Sequence, residues 1–206
     1  MRIGLDFDNT IIRYDGVFRQ AAIERGLLSA EFNGTKHLVR NAIRLLPDGE
    51  SRWQALQGYV YGQGIQGATL FAGLSEFLRR ARAQDATILV VSHKTEYGHF
   101  DPARVNLRQA AMRWMEKQAF FTKEGFSLAP DNVYFASTRA EKLGYIRDLK
   151  CDVFVDDLEE VLADPHFPKL VRRILFSEDA QPADDLPYEI CRDWASIQEI
   201  VFLDRN

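Results

Sequence analysis

The segment Asp6-Phe7-Asp8-Asn9-Thr10 carries two carboxylates two residues apart. In extended backbone the side chains alternate with period two, so Asp6 and Asp8 point to the same side. Neighbouring carboxylates repel unless a cation or a proton lies between them. Such a pair suits a hard-cation site, or a nucleophile with an adjacent acid/base group. Asp and Asn also favour turns, so this segment read alone is open between a turn and a site. Three more signals follow along the chain. Ser92 ends the apolar run 88–91; its hydroxyl could bind a phosphate oxygen, or simply open a loop. Lys142 falls in the first turns of a helix, where a cation opposes the macrodipole. An anion in front of that helix would relieve the conflict, whereas a solvated surface lysine needs none. Phe154-Val155-Asp156-Asp157 ends another apolar run with an acidic pair. Two ionised carboxylates beside a buried strand are costly without a cation, unless Asp157 serves as the N-cap of a helix over 158–162.

These residues need elements to hold them. Apolar runs at 3–7, 87–91, 133–135, 153–155 and 174–176 read as strands, rich in β-branched and aromatic residues and closed by polar ones. Their near-continuous apolarity suits strands covered on both faces, as in a parallel sheet. Helical patterns lie between them. Leu74, Phe77, Leu78 and Ala81 form one stripe. Asp101-Pro102 reads as an N-cap and first helical residue opening a helix toward Phe120. Thr138 with Glu141 forms a capping-box pair, and Asp193 can cap a last helix through Val201. Alternating strands and helices imply an α/β, doubly wound, Rossmann-like parallel sheet, with ligands beyond the carboxyl ends of its strands. Residues 14–69 break the alternation. They read as helices over 17–28, 35–46 and 49–61, and Gly62, Gly64 and Gly67 punctuate the return. The expected organisation is therefore an α/β core from 1–13 and 70–206, and a small all-helical insertion at 14–69 set over the strand ends.

Composition bounds the possibilities. At 206 residues, 46% hydrophobic, 27% charged and net charge −4, the chain suits one well-buried domain plus a small accessory one. No block of like charge advertises a nucleic-acid partner. Two cysteines cannot build a disulfide framework, and the four histidines lack zinc-ligand spacing. The first residues lack the pattern of a signal peptide, and the run 88–91 is far too short to span a bilayer. The expectation is a cytoplasmic protein without membrane or nucleic-acid partners.

Taken together and in order, the four signals resemble the motifs of the haloacid dehalogenase-like hydrolase superfamily. Asp6 to Thr10 matches the first motif, Ser92 the second, Lys142 the third and Asp156-Asp157 the fourth. The resemblance implies that Asp6 attacks phosphorus and forms an aspartyl-phosphate. Asp8 would protonate the leaving oxygen and then activate water, Thr10 and Ser92 would hold phosphate oxygens, and Lys142 would balance charge. It implies Mg2+ as cofactor, on the Asp6 carboxylate, the Asp8 backbone carbonyl and the acidic pair, with Asp157 favoured as direct ligand and Asp156 through water. Halide-removing members lack an aspartate at the position of Asp8, so its presence favours a phosphatase. The helical insertion resembles the C1 type of cap, which covers small phosphorylated metabolites. Candidate specificity residues are Arg40, Arg44, Trp53, His93 and Lys94, with Arg13, Tyr14, His37, Tyr59, Tyr61 and His99 behind them. The same residues leave open a phosphotransferase or mutase on this core, and a non-catalytic binding module.

Overall fold

The computed structural model describes residues 1–100, 102–181 and 185–202. In chain order its strands are β1 Arg2–Leu5, β2 Ile12–Arg13, β3 Thr69–Leu70, β4 Thr87–His93, β5 Val133–Ala136, β6 Val153–Asp156, β7 Arg172–Phe176 and β8 Glu189–Cys191. The α-helices are α1 Asp15–Glu24, α2 Lys36–Arg44, α3 Gly49–Tyr61, α4 Leu74–Ala83, α5 Leu107–Lys117, α6 Arg139–Asp148, α7 Glu159–Leu162 and α8 Trp194–Phe202.

The five apolar runs become neighbours in one six-stranded sheet of order β5-β4-β1-β6-β7-β8, and every adjacent pair is parallel. Ile3, Leu5, Leu89, Val91, Phe154, Val155 and Ile174 are buried, as strands covered on both faces require. Strand β1 is central, with Leu5 in register with Val90 on one side and Val155 on the other. The chain order therefore reverses across β1, which makes its carboxyl end the topological switch point where such sheets bind ligands. Gly4 has a packing reason: a Cβ there would lie 2.4 Å from the Phe154 ring.

Two compact units emerge from the packing. The α/β unit holds Met1–Ile12, Leu70–His93 and Ala119–Asn206; the helical unit holds Arg13–Thr69 and Lys94–Gln118. The sequence reading assigned residues 94–118 to the core, and packing assigns them to the helical unit. Helix α5 buries Leu107, Ala110, Ala111, Trp114 and Met115, and Trp114 Nε1 donates to the Ala68 carbonyl at 3.1 Å. The helical core also holds an aromatic cluster. Phe18 stacks on Trp53 at 4.9 Å, and Tyr61 meets Tyr14 and Phe18 edge-on at 5.0 and 5.6 Å.

Several boundaries differ from the periodicity. Helix α5 starts at Leu107 with Asn106 as its cap, the side chain accepting from Gln109 N at 3.0 Å. Asp101, the expected cap, lies outside the described residues, and Pro102 stands in a turn ahead of the helix. Asp157 does not cap α7; Leu158 occupies that position, and its amide donates to Asp156 Oδ1 at 3.1 Å. Strand β8 was not anticipated. No helix among the described residues is long and apolar enough to cross a membrane.

Candidate active site

Four neighbouring elements of the α/β unit deliver the site. The backbone of Asp6 continues the β1–β6 pairing, its amide donating to the Val155 carbonyl at 2.9 Å. The chain then turns tightly: Ile11 and Ile12 amides both donate to the Phe7 carbonyl, and Asn9 adopts φ 60°, a left-handed conformation that Asn tolerates. That turn buries Thr10 completely. Strand β4 carries Ser92, also buried, at its carboxyl end. Helix α6 follows β5 and is capped as expected, Thr138 Oγ1 accepting from Glu141 N at 3.1 Å. Glu141 accepts from the Ser137 amide at 2.7 Å rather than from Thr138. The second turn of α6 buries Lys142.

Lys142 lies between two carboxylates, its Nζ 2.6 Å from Asp6 Oδ1 and 2.7 Å from Asp156 Oδ2. The same ammonium sits 5.5 Å from the centre of the Phe154 ring. Carboxylate oxygens of Asp6, Asp156 and Asp157 all come within 4.8 Å of one another. Three carboxylates thus converge, and two of them, Asp6 and Asp156, share one ammonium. Burial pushes the Asp6 carboxyl well above its ordinary pKa; Lys142 opposes this, and Asp156, Asp157 and Asp8 add to it. Burial alone would depress Lys142, but Asp156 and Asp6 outweigh it and hold the ammonium above its ordinary value. The surplus negative charge, all on oxygen ligands, matches a hard divalent cation, so the donor set fits magnesium. Thr10 Oγ1 and Ser92 Oγ are buried hydroxyl oxygens with no hydrogen-bond partner among the described residues. Each such group costs about 1–3 kcal/mol while unsatisfied, and a phosphate oxygen would satisfy it.

No family model matches the sequence, and no curated protein matches it. Solved structures do. A haloacid dehalogenase superfamily hydrolase from Ehrlichia chaffeensis is 12% identical and superposes with TM-score 0.57 over 100% of this chain and 97% of its own. A hydrolase of the same superfamily from Deinococcus radiodurans, with bound phosphate and sodium, is 14% identical at TM-score 0.58, covering 97% and 94%. An L-2-haloacid dehalogenase is 13% identical, covering 97% of each chain. This chain has the haloacid dehalogenase-like fold.

Within that fold the sequence-derived residues separate into groups. Asp6, Lys142, Asp156 and Asp157 come together in the haloacid dehalogenase-like core. Asp8 is half-buried, and its side chain is not among the converging ligand atoms, although its charge acts on Asp6. The two members of the acidic pair differ. Asp156 is committed to Lys142 and to the Leu158 amide, whereas Asp157 is more exposed and accepts from Asn9 Nδ2 at 3.1 Å. Asn9 and Phe154 are contributors that the sequence reading did not single out. Both are adjacent to motif aspartates or lie on their strand, which is the signal they offered. His93 is exposed, its Nε2 3.1 Å from the Ser137 carbonyl. In the helical unit Trp53 belongs to the buried aromatic core. Arg44 pairs with Glu50 at an exposed position, Arg40 is half-buried beside Asn41, and His37 is exposed. Arg13 pairs with Asp15, and Arg25 stacks on Tyr59 at 3.6 Å. Lys94, unlike these arginines, is buried.

Proposed function

We propose that this protein is a magnesium-dependent phosphohydrolase that removes phosphate from a small phosphorylated metabolite through an aspartyl-phosphate on Asp6. The observation that carries the reading is the pair of buried, unpartnered hydroxyls of Thr10 and Ser92 in the same α/β unit as the Lys142–Asp6 ion pair. Phosphoryl transfer depends on positioning and charge neutralisation more than on covalent power, and these residues supply both. The phosphate and sodium bound to the Deinococcus neighbour support the same chemistry on this fold.

The Asp6 carboxylate forms a bond to phosphorus as the ester P–O bond breaks, and the leaving oxygen takes a proton from Asp8. Asp8 then removes a proton from water; the water oxygen attacks phosphorus and releases Asp6 and inorganic phosphate. Lys142 stays protonated and offsets negative charge on Asp6 and the transferring group. Asp156 holds that ammonium in place, which leaves Asp157, together with Asp6 and the Asp8 carbonyl, to hold the ion. Magnesium bound there would neutralise phosphate charge as a Lewis acid. Asp8 weighs against halide removal, which needs no acid for a departing alkoxide.

The test is phosphate release from phosphorylated sugars, nucleotides and small acids in magnesium buffer, with the folded Asp6→Asn variant as control. Release by the wild type that falls several orders of magnitude in Asp6→Asn supports the reading. Equal release by both contradicts it.

A further inference from the structure

Asn9 follows Asp8 in the turn after β1. Its backbone takes φ 60°, and its amide donates to the Ile12 carbonyl at 2.9 Å. The Ile11 and Ile12 amides close the same turn onto the Phe7 carbonyl. Backbone hydrogen bonds therefore build this turn, and its left-handed residue could equally be glycine, which takes that conformation at no steric cost. An asparagine that only shapes a turn bonds its own backbone about two residues on. The Asn9 side chain reaches much further: Nδ2 donates to Asp157 Oδ2 at 3.1 Å, across 148 positions of sequence and within the α/β unit.

Asp157 is the third of the converging carboxylates. The other two, Asp6 and Asp156, are each held by the Lys142 ammonium, and Asp156 also accepts from the Leu158 amide. Asp157 is half-buried, and one of its oxygens lies within 4.8 Å of theirs. Like charges so close push it away, and the last torsion of an aspartate is soft. A donor fixed on one oxygen limits that rotation. The donor here is a neutral carboxamide. A lysine or arginine in its place would cancel part of the surplus negative charge that a hard divalent cation answers. The amide orients the carboxylate and leaves its charge intact.

We propose that Asn9 is a positioning residue for the metal: its carboxamide sets the orientation in which Asp157 meets the ion shared with Asp6. The proposal rests on the metal-binding part of the function proposed above. Residues that hydrogen-bond a metal ligand from behind typically contribute about 10–100-fold to metal affinity. Asn9 then has two separable roles, one carried by its backbone in the turn and one carried by its side chain at Asp157.

The experiment titrates magnesium alone into the wild type and into Asn9→Gly by calorimetry, and follows the unfolding of both without metal. Glycine keeps the left-handed turn and removes the carboxamide. Asn9→Gly should bind magnesium about tenfold more weakly, while its metal-free unfolding midpoint falls by about 4 °C or less. Equal affinity in folded Asn9→Gly overturns the proposal, whatever happens to the midpoint. A crystal structure of the magnesium-loaded wild type decides should Asn9→Gly fail to fold. Asn9 Nδ2 within about 3.2 Å of an Asp157 oxygen supports the proposal, and a broken contact overturns it. A wild type that binds no magnesium overturns both this inference and the metal site on which it rests. Magnesium binding that weakens in Asn9→Gly, with no phosphate ester hydrolysed by the wild type, upholds this inference and removes the phosphohydrolase reading alone.

Discussion

Each compact unit buries a lysine, and the two sit in different surroundings. In the α/β unit Lys142 is held by Asp6 and Asp156 at 2.6 and 2.7 Å. In the helical unit Lys94 lies over the Tyr61 ring. The first arrangement is a tight ion cluster with more carboxylates than cations, so its geometry is strained electrostatically until positive charge arrives. The second is an aromatic core that tolerates cations on its faces. On the proposed function a metal and a phosphate would complete the first cluster with their charges.

The largest effect should come from removing the ammonium. Lys142→Met leaves Asp6 and Asp156 buried without a cation, and breaking a buried ion pair this way typically costs about 3–5 kcal/mol. Asp6→Asn does the opposite: it removes one of three converging carboxylates. In metal-free buffer Lys142→Met should be much less stable than wild type by denaturant unfolding, while Asp6→Asn is as stable or more so. Both should lose turnover by several orders of magnitude. Comparable stability losses in the two variants would break the charge argument.

Stability of the helical unit should depend on packing instead. Trp53 is buried and stacked on Phe18, so Trp53→Ala should cost about 3–5 kcal/mol through lost contact and cavity. Magnesium should not restore it. The metal-dependent gain should equal that of the wild type, and a clearly different gain would show that the aromatic core is coupled to the carboxylate cluster.

A smaller effect sharpens the division within the acidic pair. Magnesium at about a hundred times its dissociation constant should stabilise the wild type by about 2.7 kcal/mol. Asp157→Asn should weaken that thermal shift with little change in metal-free stability. Asp156→Asn should lower metal-free stability as well, because Asp156 holds Lys142. The converse pattern would reassign the two roles.

Much of this was legible in the sequence, for physical reasons that also mark where it stopped. Parallel strands buried on both faces leave long apolar runs, so β1, β4, β5, β6 and β7 were readable. Strand β8 has three residues, one of them Glu189, which pairs with Arg172 and hides the apolar signature. Capping chemistry is local and degenerate: Asp101-Pro102 and Asn106 can both open a helix, and burial of Leu107 decides in favour of Asn106. Unit membership of residues 94–118 is a matter of packing against Ala68 and its neighbours, which sequence order cannot express. The acidic motif residues and Ser92 drew attention through their positions at strand ends, and Lys142 through its place early in a helix. The division of labour between Asp156 and Asp157 was not, because it depends on which carboxylate reaches Lys142 across the sheet. The helical unit's arginines, Trp53 and Lys94 drew attention in the sequence, and only the structure shows that Trp53 and Lys94 are buried.

The most direct test of the account is to trap the covalent intermediate. A substrate found by the phosphate-release screen is mixed with the enzyme in magnesium buffer and quenched in acid within a single turnover, where acyl phosphates persist. Peptide mass spectrometry then locates the phosphoryl group. The account predicts that it lies on the amino-terminal peptide, at Asp6, and is absent from Asp6→Asn. A phosphoryl group on any other residue, or turnover with no phosphorylated enzyme and full activity in Asp6→Asn, would contradict it.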